Sequence, residues 1–261
     1  MRPRCAASRA ARSRARVTPK ETTHVDNLSA FNRGAASAAQ VRYDEGLRRH
    51  MLGIYRNMGI GLAITGLVAL LVASSPPLVA LIFGTPLKWV AMLAPLAFVF
   101  FFTFRIDRMT TAGARTAFFA FAGVMGVSMA SIFLVFTGQS IAMAFFTAAA
   151  MFAGLSLWGY TTKRDLTGMG TFLVIGLVAV IGASLVNLFL GSSLLQMALS
   201  VVGVVVFAGL TAWDTQRLKS EYVVYGNSQA AEKLAVMGAL SLYLNLINMF
   251  QLLLGLMGER E

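Results

Sequence analysis

Seven apolar stretches follow one another along this chain, at residues 54–74, 86–104, 115–136, 140–160, 168–190, 194–213 and 235–257, with short polar segments between them. Each is close to the ~20 residues that a helix rising ~1.5 Å per residue needs to cross ~30 Å of hydrocarbon. Apolar positions occur on all sides and do not alternate with polar ones, as the ~10-residue strands of a membrane barrel would require. The pattern predicts an all-α polytopic membrane protein with seven transmembrane helices. Pro76 and Pro77 close the first stretch and Pro86 opens the second, at a helix start where a missing N–H costs little. The segment LVALIFG (78–84) is too short to cross and is expected at the interface. The connections TGQS (137–140) and GSS (191–193) are so short that the stretches they join must be antiparallel hairpins.

Composition supports this class. Hydrophobic residues make up 57% of the 261 and charged ones 13%, with a mean hydropathy of +0.70. A water-soluble chain of this length carries roughly 25% charge. The lone cysteine, Cys5, rules out a disulfide within the chain. The net charge of +11 invites a nucleic-acid reading, but its distribution argues against one. Arg2, Arg4, Arg9, Arg12, Arg14, Arg16 and Lys20 all lie in the first twenty residues, with no acid among them. Such an arm could touch anionic lipid, or be a transit-like peptide, or precede the true start of the mature protein. Residues 1–45 therefore read as a basic, disordered cytoplasmic arm, and 46–258 as the seven-helix membrane domain.

Lys and Arg in alternate non-membrane segments total 20 on one side and 2 on the other, counting Arg56 with the N-terminal segment. Without the first twenty residues the split is still 13 to 2. The positive-inside rule then puts the N-terminus in the cytoplasm and the C-terminus outside. The polar ends of spans two, four and six share the cytoplasmic side, in RIDR (105–108), KRD (163–165) and the 214–234 loop.

Several intramembrane chemistries are excluded. A serine protease of the rhomboid kind needs a Ser–His pair, and the only histidines, His24 and His50, precede the first span. A metalloprotease needs a His-rich ligand set, which is missing. An aspartyl protease needs two facing aspartates. Of Asp26, Asp44, Asp107, Asp165 and Asp214, only Asp214 is placed at bilayer depth. No G-x-x-x-x-G-K-[ST] loop is present to bind a nucleotide. The expectation is no catalytic residue, no cofactor, no resident metal and no enzymatic role.

Three polar positions remain that could meet inside the bundle: Asp214 at the end of span six, Arg105 at the end of span two, and Asn245 within span seven. An Arg–carboxylate pair would neutralise both groups and tie spans two and six together. Alternatively Asp214 snorkels to water or caps a loop, and Arg105 is an ordinary positive-inside anchor. Both readings stay open on the residues alone. Small residues recur as well: Gly123, Gly126, Ser128, Ala130 and Ser131 in span three, Ala208 and Gly209 in span six, and Gly238 and Ala239 in span seven. They let helices approach closely in lipid, or act as hinges. Met and Phe are abundant and are read as filling core and lipid-facing surface.

The strings SLWGYTTKRDLTGMG (156–170), FAGLTAWDTQRLK (207–219) and ALSLYLNLINMF (239–250) resemble signature segments of the Bax inhibitor family, in its bacterial branch. The resemblance covers residues 45–258 and keeps family order and spacing. It implies six helices around a central seventh, and a pH-sensitive calcium leak. The implied sensor is a pair of aspartates on spans six and seven, with an arginine latch on span two. Asp214 matches the first aspartate and Arg105 the latch, but the second aspartate is Asn245 here. An amide cannot titrate, yet its NH2 can donate to Asp214, so the expected site keeps one ionised carboxylate, held by Arg105 and Asn245. A leak through it should be weaker or less responsive to pH, unless Asn248 compensates.

Two functions of different class follow. One is a passive, pH-modulated cation leak gated by Asp214 and Arg105, with calcium in transit and Asp214 as a passing contact. The other is a non-conducting interaction protein, since bacterial relatives are reported to restrain a membrane-bound AAA protease. That role would use the arm (21–50) or the loop SEYVVYGNSQAAEK (220–233). The expected location is a bacterial inner membrane, with the lipid bilayer as the constant partner and no nucleic acid.

Overall fold

The structure, a computed structural model, describes residues 19–226 and 228–259. These form eight α-helices: α1 (Pro19–Ala73), α2 (Pro76–Phe83), α3 (Leu87–Arg105), α4 (Thr111–Met129), α5 (Gly138–Thr161), α6 (Thr167–Leu190), α7 (Ser193–Tyr225) and α8 (Gln229–Met257). Seven of them are long and apolar enough to cross a membrane. The eighth, α2, has eight residues and follows Ser75 with two prolines at its start. It covers most of the segment 78–84 that the sequence marks as too short to cross. The chain is a multi-pass, all-α membrane protein.

The first span begins earlier than its apolar run. It extends over Asp44–Ala73, and the helix itself continues back to Pro19. Pro19 occupies the first helical position, where proline is tolerated. The Arg-rich residues 1–18, with Cys5, lie outside the described residues, and so does that part of the expected arm. Contacts divide the chain at Glu45 and Gly46 into a short N-terminal unit and the membrane domain.

Within the membrane domain α8 is the most enclosed span. Half of its most apolar window is buried against protein, compared with 11% for α3 and 17% for α6. Leu242, Tyr243, Asn245, Leu246, Ile247, Met249 and Phe250 are all buried, which at 100° per residue covers more than half of the circumference. Its neighbours are α7, α5 and α4, and α6 packs outside α7. The first span also reaches α8, through Thr65, whose hydroxyl lies 2.6 Å from the Tyr243 hydroxyl and donates to the Ala122 carbonyl of α4. This is the central-seventh arrangement that the resemblance implies. Phe104, Phe172, Leu188 and Phe189 point outward, as side chains facing lipid do.

Small residues sit where backbones meet. A Cβ on Gly126 would lie 2.7 Å from the Thr65 carbonyl oxygen of α1, and one on Gly159 would lie 2.3 Å from the Ala212 carbonyl oxygen of α7. Hairpin α6–α7 turns at Gly191, whose φ of 62° is left-handed and suits glycine. The third span tightens into a 3₁₀ turn over Ala130–Leu134 before the α4–α5 hairpin.

Candidate functional site

Helix α7 outlasts its apolar run: its 33 residues carry the last three turns, 214–225, past residue 213. Asp214 stands where that run ends, on the α7 face turned to α8, and is only 3% exposed. Asn245 of α8, 5% exposed, donates from Nδ2 to Asp214 Oδ2 at 2.8 Å. Ser241, one turn before Asn245, also faces the carboxylate. The structure therefore brings together two of the three residues singled out from sequence.

The third is elsewhere. Arg105 ends α3 and is exposed, and α3 packs against α2 and α4 at the edge of the bundle. The expected Arg105–Asp214 pair is not formed. Arg217 takes that place, its Nη2 lying 2.8 Å from Asp214 Oδ1. The physical reason is proximity: residues three apart on one helix are neighbours, so the pair forms without bringing α3 to α7. The contact is one of charge more than of aligned hydrogen bonding, since Oδ1 has no well-directed donor. Arg217 also lies 3.4 Å from Glu221 Oε1 through Nε, and its guanidinium sits 4.8 Å over the Trp213 ring. Trp213 is seated by α6, where a Cβ on Gly170 would fall 2.2 Å from the indole. Arg217 was legible in the string AWDTQRLK as an i, i+3 partner. Neither the Trp213 platform nor its glycine seat carries a local signal.

Hydroxyls surround the carboxylate's turn. Thr215, next to Asp214, lies 3.0 Å from the Ser156 hydroxyl of α5, which lies 2.6 Å from Tyr55 of α1. The adjoining loop is tied down by Gln216. Its Oε1 accepts from Leu166 N at 2.8 Å, and its Nε2 donates to the Arg164 carbonyl at 2.8 Å. Asp165, in that loop, accepts from the Thr167 backbone N–H and hydroxyl. Those two bonds hold its carboxyl below the usual aspartate value. Lys219 donates to the Tyr160 carbonyl at 3.0 Å. Among the described residues no three His, Cys, Asp or Glu side chains are grouped to hold a metal.

The model of the family described as "Inhibitor of apoptosis-promoting Bax1" matches residues 47–261. The chain belongs to that family. An uncharacterized protein of Rickettsia prowazekii is 45% identical over 219 residues, covering 84% of this chain and 93% of its own length. An uncharacterized protein of Caulobacter vibrioides is 42% identical over 88% of this chain and 98% of its own. The inner membrane protein YbhL of Escherichia coli K12 is 38% identical over 83% of this chain and 94% of its own. The three segments quoted from sequence all lie inside the matched range.

Proposed function

We propose that this Bax inhibitor family member is a cation leak of a bacterial inner membrane, with calcium as the expected ion and Asp214 as the controlling group. The observation that carries the reading is one carboxylate, buried between two membrane-spanning helices and held by an amide and a guanidinium. A buried charged pair is a poor device for stability, because apolar side chains of similar volume serve as well or better. A carboxylate kept in that place is better explained by work done when the pair opens.

In the closed arrangement Arg217 and Asn245 occupy the carboxylate. When it is released, Asp214 offers a negative contact to a passing cation. A single carboxylate supplies too few oxygens for the six to eight that a tight calcium cage takes, so the contact is transient. The Lys and Arg asymmetry supports a cytoplasmic position for this end of the bundle. The reading includes no enzymatic step. Calcium flux into proteoliposomes tests it, across near-neutral pH and with Asp214→Asn beside the native chain. Flux lost in Asp214→Asn is the expected result. Flux no greater than that of protein-free liposomes, from a folded protein, overturns the leak and leaves the non-conducting partner of a membrane-bound protease.

A further inference from the structure

A second polar region lies far from Asp214, at the α6–α7 hairpin. A cavity of about 560 Å³ opens there between α6, α7 and the end of α8. Its polar lining is Ser184, Asn187, Ser192, Ser193, Gln196 and Ser200, with no charged residue. Asn187 donates to Gln196 Oε1 at 3.2 Å and accepts from Ser192 N at 3.1 Å, which fixes both amides at the wall. Ser200, 2% exposed, carries the most buried hydroxyl of this lining. That hydroxyl faces α8, 4.0 Å from where a Cβ on Gly255 would be. A roomy cavity with several polar partners holds water.

Ser200 and Asp214 share a face of α7. They are fourteen residues apart, about four turns and ~21 Å by helical rise, which is most of the ~30 Å hydrocarbon thickness. Gly203 and Thr211 lie between them on or near the same stripe. At Gly203 the seam is shut, since a Cβ there would lie 2.7 Å from Leu252 Cδ1 of α8. Polar groups thus occupy both ends of the α7–α8 seam, with an apolar closure near the hairpin end.

We infer that the hairpin cavity is the second, water-filled mouth of the pathway that Asp214 controls, closed from it by Leu252 packed on Gly203. This rests on the leak reading. Its neutral lining suits a hydrated cation in passage: serine and amide oxygens offer dipoles without trapping the ion. Access and conduction can be measured separately. In a Cys5→Ser background, Ser200→Cys and the fully buried control Ala148→Cys are treated in proteoliposomes with a small, charged methanethiosulfonate. The expected result is labelling of Ser200→Cys far faster than of Ala148→Cys, with Leu252→Ala raising calcium flux severalfold over native. Equal, slow labelling of both cysteines overturns the cavity as a mouth. Fast labelling with flux unchanged by Leu252→Ala overturns the closure. Fast labelling with no flux from either the native chain or Leu252→Ala removes the pathway, and so marks the leak reading as the one that failed.

Discussion

Asn245 of α8 donates its side-chain amide to Asp214 of α7 at 2.8 Å, an interhelical bond between two residues that are both almost fully buried. Where the family resemblance implies a second carboxylate, this chain supplies a donor that does not titrate. Asn245→Asp puts two carboxylates in contact, and such a pair shares protons and titrates as a unit. The expected outcome is a calcium flux that changes more steeply with pH than in the native chain. Superimposable flux–pH curves for the two proteins would show that residue 245 does not tune the site. Asn245→Ala removes the donor and leaves a cavity, and should lower unfolding stability by about 1–3 kcal/mol.

Arg217, not Arg105, is the cation on Asp214. Arg217 is 36% exposed, so solvent weakens the pair, and Arg217→Gln should cost about 1–2 kcal/mol, mostly by leaving Asp214 less compensated. Arg105→Gln, at the exposed end of α3, should stay within roughly 0.5 kcal/mol of native. Thermal unfolding of the two variants in detergent checks the order. The same pair of variants separates the two latches in flux: Arg217→Gln should raise conduction and Arg105→Gln should not. A raised flux in Arg105→Gln alone would restore the α3 arginine as the latch.

Most of the architecture was legible in the sequence because a bilayer constrains it so strongly. Span count, the short α2 and the two tight hairpins follow from run length and from loops of a few residues. The central place of α8 came through resemblance, and no local property of its sequence announces it. Asp214 and Asn245 stood out as polar residues in apolar surroundings. Arg105 was the misplaced expectation. A terminal arginine on any span looks alike in sequence, and only the packing of α3 against α2 and α4 shows it to be remote from the seam. The Gln216 clamp and the Trp213–Gly170 seat join residues about fifty and forty positions apart, so no spacing rule could have paired them.

Gly159 and Gly154 lie on the same helix and should respond oppositely to alanine. A Cβ on Gly159 would sit 2.3 Å from the Ala212 backbone oxygen, which cannot rotate aside, so α5 and α7 must separate. The expected loss for Gly159→Ala is about 1–3 kcal/mol, the usual scale of overpacking. Gly154 has no atom within 4 Å of that position. Replacing it should be neutral, or stabilising by up to roughly 1 kcal/mol through reduced backbone freedom. Unfolding midpoints measured side by side decide the matter, and a destabilised Gly154→Ala would contradict the packing described.

Asp165 offers the one pH effect argued from a group outside the spans. Its carboxylate accepts two hydrogen bonds from Thr167 at the start of α6, which lowers its titration below the ordinary value. A depressed folded-state value means that the contribution is complete above the unfolded-state titration and is lost as pH falls through the lower, folded one. Acid should therefore loosen the α6 start only well below neutral pH, and Asp165→Asn should remove that acid step. Hydrogen exchange at the amides of Thr167 and its neighbours reads it directly. The native chain should exchange faster on acidification beyond the intrinsic rate change, and the variant should follow the intrinsic change alone. Gln216 still holds Leu166 and Arg164 in both proteins, so the effect stays local and the flux at neutral pH should be unaltered by Asp165→Asn. An altered flux would mean that this loop communicates with Asp214 through Gln216.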